Sequence, residues 1–157
     1  MLKSIIKNNL IAVAIHICMC IILILPIGFI WFYGVWGNNM ELNRVIINWL
    51  LIGACTTVIL FLYFWTGRKF LTNTGQSLTN VLSVIAVLIL IIIGVFISLY
   101  LDASNRWHIM WMLMTPISPL GETLSHFARI ELKYADMLMS ILLPLAMWIG
   151  MITKRVV

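Results

Sequence analysis

Residues 81 to 101 read VLSVIAVLILIIIGVFISLYL, and this stretch decides the fold class. It carries no charged side chain from end to end. Its many Ile and Val residues favour a strand in water, but a run of about 20 apolar residues is long enough to cross hydrocarbon as a helix. A helix closes its backbone hydrogen bonds locally, which a lone strand in lipid cannot do. The stretch therefore reads as a membrane span.

The composition of the whole 157-residue chain agrees: it is 63% hydrophobic and only 10% charged. A soluble domain is nearer to one half apolar and one quarter charged, so this chain lacks the polar surface to cover a globule. The net charge of +5 lacks the basic stripe with interleaved aromatics that nucleic-acid binding needs. In a membrane chain, bases matter first for orientation.

Four apolar stretches are predicted to span, at about 10–33, 45–65, 81–101 and 134–152, within a single integral membrane domain covering 1–157. The first follows Lys3 and Lys7, as a signal peptide would. Its apolar part is too long for a signal core and no small-x-small site follows it, so it reads as an uncleaved anchor. Pro26 should loosen that helix and Pro144 the fourth span. Cys18, Cys20 and Cys55 all fall inside apolar runs, so no disulfide framework is implied.

Charge sets the expected threading. Lys3, Lys7, Arg68, Lys69, Lys154 and Arg155 cluster tightly on one set of helix ends, whereas Arg44, Arg106, Arg129 and Lys133 are spread over longer segments on the other. The denser set should face the cytoplasm, with both termini inside. All five acids lie on the other side or in the first turn of the fourth span. Trp31, Tyr33, Trp36, Trp49, Tyr100, Trp107, Trp111 and Tyr134 form an outer aromatic belt, and Tyr63, Trp65 and Trp148 an inner one.

One segment departs from the lipid-facing pattern: TPISPLGETLSHFARIELKYAD, residues 115–136. Ser118 as N-cap, Pro119 at the first helical position and Glu122 in the first turn predict a helix start. Leu120, Leu124, Phe127, Ile130 and Tyr134 then recur at helical spacing, opposite a stripe of Glu122, His126, Arg129 and Lys133. The expectation is an amphipathic outer segment over about 107–133, its helical part lying in the headgroup region. The predicted fold is all-α, a four-transmembrane-helix bundle with an extracellular interfacial helix between spans three and four.

Glu122 and His126, one turn apart, would suit an acid/base pair, but no nucleophile setting, zincin motif or serine elbow accompanies them. They read first as a solvated pair. If the outer segment binds anything, the candidates are Glu122, His126, Arg129, Trp107 and Trp111, with Arg129 able to grip a phosphate or carboxylate in bidentate fashion. His108, Met110, Met112 and Met114, two apart, would present soft ligands on a strand but scatter around a helix. His16 and Cys20 are one turn apart in the first span; two ligands make no metal site, and an interhelical hydrogen bond is the better reading of His16. No cofactor is expected. Close helix packing is predicted at GACTT (53–57), at Gly94 with Ser98, and at Ala146 with Gly150.

The run GRKFLTNTGQSLTNVLSV (67–84), the Trp-rich segment with Pro116 and Pro119, and LLPLAMWIGM (142–151) before a basic end resemble small uncharacterised multi-pass membrane proteins of Gram-positive bacteria. The likeness covers roughly the last 90 residues and implies a bacterial cytoplasmic membrane. The expected function is a non-enzymatic accessory or protective subunit that binds another membrane protein or a membrane-active peptide. A small oligomeric transporter or channel component is the alternative, and an outer-face enzyme the third choice. The expected partners are the lipid bilayer and such a protein or peptide, with no nucleic acid.

Overall fold

A computed structural model of the chain describes residues 2–30, 42–100 and 116–154. Every regular element among them is helical: α1 (Leu2–Ile30), α2 (Leu42–Phe70), α3 (Ser77–Leu82), α4 (Ile85–Tyr100), α5 (Ser118–Ala128), α6 (Leu132–Met139) and α7 (Leu142–Ile152). Three segments are long and apolar enough to cross a bilayer, Leu2–Ile27, Leu50–Phe70 and Tyr134–Ile152, and a shorter apolar helix covers Ile85–Ile97. The chain is a multi-pass, all-α membrane protein. The outer-belt residues Trp31, Tyr33, Trp36, Trp107 and Trp111, and the His108–Met114 series, lie outside the described residues.

The inward face of α1 is set by its periodicity. Asn8, Ala12, His16, Cys20, Leu23 and Ile27 are all buried and recur at three-to-four spacing, while Leu10, Ile21 and Leu25 point outward. On α4 the same rule buries Val87, Ile91 and Val95 and exposes Ile89, Ile93 and Phe96. Exposed apolar rows on both helices fit a lipid solvent.

Hydrogen bonds fix the directions of the helices. Asn8, near the start of α1, bonds to Thr72 just after α2, to Ser83 just before α4 and to Met151 near the end of α7. These four places therefore meet at one end of the bundle. Helices α1 and α4 run away from it, and α2 and α7 run toward it. Lys3, Lys7, Arg68, Lys69 and Lys154 belong to these same helix ends, so the bases that the sequence groups together do share one end.

Helices α2 and α7 make the closest approach. A Cβ on Gly67 would strike the backbone of Met147, and one on Gly150 would strike the backbone of Phe64. The expected packing at Gly150 is present, and Gly67 is its counterpart. The GACTT segment is divided: Cys55 is partly buried against the core, whereas Gly53 has open space around it and Ala54 and Thr57 are exposed. Small residues permit approach, but among the described residues no helix comes close to Gly53.

Two predicted helices are interrupted, for different reasons. The fourth span turns at Ser140–Ile141, between α6 and α7. Pro144 lies four residues past Ser140, so the Ser140 carbonyl loses its i+4 donor and meets the proline ring. Pro26, by contrast, sits inside an unbroken α1. The third span, expected as one helix over 81–101, breaks at Ser83–Val84 without Pro or Gly. Its cause is a side chain from α1, described below.

The outer segment also differs from expectation. Its helix ends at Ala128, where Arg129 takes the left-handed conformation (φ 55, ψ 37), and does not run on to residue 133. Ser118 is the first helical residue, and Ile117 stands at the N-cap without a side-chain hydrogen bond. Burial changes along the axis: Pro116, Ile117, Pro119, Leu120 and Gly121 are buried, whereas His126, Phe127, Ala128 and Arg129 are exposed. A helix lying flat on one apolar face would alternate by turn. This one enters the bundle end-first, packed against α2 and α6, with Gly121 against the Asp136 carboxylate. Gly121 has no room for a Cβ there.

Candidate functional site

Two polar constellations sit inside this framework, and both begin on α1. The first is the pair Asn8–Asn9, which no motif in the sequence marks. A carboxamide carries a donor and an acceptor side by side, so it can stand in for a peptide group. Asn8 does this with Thr72: its Oδ1 accepts from the Thr72 N–H at 3.1 Å, and its Nδ2 donates to the Thr72 carbonyl at 2.9 Å. The same Nδ2 lies 3.3 Å from Ser83 Oγ and 3.8 Å from Met151 Sδ.

Asn9 acts on the interrupted third span. In an unbroken helix the Ala86 N–H would donate to the Leu82 carbonyl. Instead Asn9 Nδ2 donates to the Leu82 carbonyl at 2.7 Å, and Asn9 Oδ1 accepts from the Ala86 N–H at 3.0 Å. The carboxamide is inserted into one i→i−4 bond and satisfies both of its halves. An inserted side chain is a recognised cause of a sharp helix break, and this one explains a break that no local residue predicts.

The loop between α2 and α3 completes this polar end. Asn73 Nδ2 donates to the Lys154 carbonyl at 2.9 Å, closing the end of α7, and Asn73 Oδ1 accepts from Gly75 N–H at 2.9 Å and from Asn80 Nδ2 at 2.8 Å. Asn80 Oδ1 in turn accepts from the Thr74 N–H and hydroxyl, at 3.0 and 2.8 Å. Gly75, at φ 76, supplies the left-handed turn that brings Asn73 and Asn80 together. The signal for all this was in TNTGQSLTN, residues 72–80, whose side chains are dense in paired donors and acceptors.

The second constellation lies deeper. His16 Nδ1 is 2.7 Å from the Tyr63 hydroxyl across the α1–α2 interface, and His16 Nε2 is 3.6 Å from Cys20 Sγ. All three residues are buried. The interhelical hydrogen bond expected of His16 is present, and its partner is Tyr63, a residue expected from the sequence in the inner aromatic belt. Burial of Tyr63 against His16 corrects that assignment; Trp65, two residues on, is exposed as a belt residue should be.

The chain Tyr63–His16–Cys20 has two self-consistent proton arrangements. Either the tyrosine O–H donates to Nδ1 while Nε2–H donates to sulfur, or the thiol donates to Nε2 while Nδ1–H donates to the phenol oxygen. The ring nitrogens face different partners, so one metal ion cannot collect all three side chains. Among the described residues there is no group of three His, Cys, Asp or Glu that could hold a metal.

Of the outer candidates, His126 is exposed near the end of α5, with its ring edge-on to Phe127 at 6.2 Å between centroids. Arg129 is exposed at the left-handed cap. Glu122 falls on the middle of α5, but its side chain lies outside the described set, as do Trp107 and Trp111. The five are thus not shown as one site.

Searches against protein-family models, curated proteins and solved structures gave no match to this chain. What stands beside the geometry is the composition of a helical protein with three long apolar helices.

Proposed function

We propose that the chain is a non-enzymatic accessory or protective subunit of a bacterial cytoplasmic membrane, a single four-span domain that binds another membrane protein or a membrane-active peptide. The carrying observation is how its interior polar groups are used. Asn8, Asn9, His16 and Tyr63 each bond to a side chain or backbone group of another helical segment. Such cross-ties favour a fixed scaffold that presents its faces over one that must open and close. The open face around Gly53, Ala54 and Thr57 is the place where a foreign helix would pack. Arg129 and His126, with Glu122, Trp107 and Trp111 from the sequence, are the candidate contacts for a soluble or peptide partner. A non-glycine residue held at positive φ supports a role for the Arg129 side chain, since glycine would sit there more easily.

The test is purification from the native membrane in mild detergent, with co-purifying proteins identified by mass spectrometry. A stoichiometric partner lost on Gly53→Leu or Arg129→Gln, with the subunit still folded, supports the proposal. Recovery of the bare subunit from every preparation counts against it.

The orientation proposed is both termini inside, with the resemblance to Gram-positive membrane proteins behind the choice of membrane. A cysteine placed at Gln76 should resist an impermeant maleimide in intact cells, and one at Asn38 or Asn105 should react. The reverse pattern would invert the topology.

A small oligomeric transporter or channel component is the second reading, and the Tyr63–His16–Cys20 chain is what favours it, because a titratable group inside a span is a functional hint by default. Reproducible proton-driven flux in liposomes that disappears with His16→Ala would move the assignment there.

A further inference from the structure

The face of α2 turned away from the bundle ends in bases. Val58, Phe61 and Trp65 are exposed at three-to-four spacing, and the next turn on that row carries Arg68 and Lys69, also exposed. Lys69 does not extend freely into water. Its ammonium lies 4.7 Å from the centroid of the Trp65 ring and 5.4 Å from that of Phe70, so two exposed aromatic faces hold it at the boundary.

The length of this row is informative. From Val58 to Lys69 a helix rises about 16 Å, close to half of a hydrocarbon core about 30 Å thick. An apolar track one leaflet long, ending at paired cations, has the dimensions of a single phospholipid. The polar end of the bundle adds to the field: Lys3, Lys7 and Lys154 belong to the helix ends gathered there, while Glu122, Glu131 and Asp136 belong to α5, α6 and the turn between them.

We propose that this face of α2 is a binding site for an anionic phospholipid, its headgroup phosphate between Arg68 and Lys69 and an acyl chain along Trp65, Phe61 and Val58. The guanidinium supplies directional hydrogen bonds to phosphate oxygens and the ammonium a point charge. The aromatic rings serve both partners, packing the upper part of the chain and fixing the ammonium. The site adjoins the Gly53 face, with Ala54 one turn before Val58 on the same exposed row, and does not depend on the proposed function.

The experiment uses the intact detergent-purified protein, its thermal unfolding followed with phosphatidylglycerol, phosphatidylcholine or soluble glycerol phosphate added. Phosphatidylglycerol should raise the unfolding temperature well above the effect of phosphatidylcholine, and glycerol phosphate should do nothing. Arg68→Gln with Lys69→Gln should weaken the lipid's apparent affinity by an order of magnitude or more, at roughly fivefold per base, while Lys3→Gln with Lys7→Gln should keep most of it. Equal loss in both double variants would mean general surface charge and overturn the site. Equal stabilisation by both lipids, or by glycerol phosphate alone, would overturn it too. Should the α2 variant not fold, the wild-type protein still decides: a phosphatidylglycerol effect that fades between low and high salt supports an ionic headgroup contact, and a salt-independent effect refutes it.

Discussion

The two halves of α2 contain the same permission and use it differently. Toward the polar end, Gly67 lies against the backbone of Met147, and the helix is pinned to α7 through the reciprocal contact of Gly150 with Phe64. About 21 Å away along the helix, Gly53 faces open space in a run of small residues. A glycine tells that a backbone can come close. Whether one does depends on the other helices, and among the described residues the backbone of α7 comes this close at Gly67 while none does at Gly53.

The largest expected effect tests that contrast directly. Gly67→Leu or Gly150→Leu would have to drive a side chain into backbone, which no rotamer change relieves. Overpacking of this kind costs about 3 kcal/mol or more, so either variant should lose most of its thermal stability in detergent or fail to fold. Gly53→Leu should leave the isolated subunit within about 0.5 kcal/mol of wild type. Comparable losses at Gly53 and Gly67 would mean that the Gly53 face is already covered within the chain.

Next come the carboxamides that tie the polar end. Asn8→Ala removes hydrogen bonds to Thr72, Ser83 and Met151 and leaves the Thr72 backbone groups unpaired. A cost of about 2 kcal/mol is expected from the unsatisfied groups, read as a lower unfolding midpoint. Asn9→Ala should cost less, about 1 kcal/mol, because Ala86 and Leu82 can then bond to each other and close the helix. Amide exchange at Ala86 would show that closure as increased protection. Decreased protection there would mean that the break has a cause other than Asn9.

These residues also mark how far the sequence could be read. The apolar runs announced three long apolar helices and a shorter fourth because length and the absence of charge act locally, and the grouping of basic ends followed from counting them. The breaks were less legible. Pro26 sits in an α1 that stays helical through it, whereas the turn at Ser83–Val84 is made by Asn9, more than 70 residues earlier in the chain. Periodicity gave the outer helix an apolar face but could not reveal that its N-terminal half is buried end-first between α2 and α6. His16 was readable as an interhelical bond, since a span offers it few other uses; Tyr63 as its partner was hidden by the ordinary expectation that a tyrosine near a span end belongs to the aromatic belt.

The His16–Tyr63 tie is a smaller test of the pinned half of the bundle. Tyr63→Phe keeps the ring and removes one hydroxyl. Interhelical hydrogen bonds in membrane bundles average about 0.6 kcal/mol, so the loss should be about 0.5–1 kcal/mol in detergent unfolding. A loss as large as that of Gly67→Leu would make the tyrosine–histidine–cysteine chain the main organiser of the α1–α2 interface.

The smallest effect is expected to have the opposite sign, and it belongs to α5. Arg129 ends α5 at φ 55, a conformation that costs an L-residue about 1 kcal/mol relative to glycine. Arg129 is exposed, so little packing offsets the strain. Arg129→Gly should therefore raise stability by about 0.5–1 kcal/mol, seen as a slightly higher unfolding midpoint. The substitution separates two reasons for an arginine at this turn. If the guanidinium contacts a partner, Arg129→Gly gives a more stable subunit that no longer captures that partner, a trade characteristic of a functional surface. If the side chain only faces water, stability rises and capture is unchanged. A fall in stability would mean that the arginine is held by contacts stronger than the strain at its own backbone, and would make it part of the fold of this outer turn.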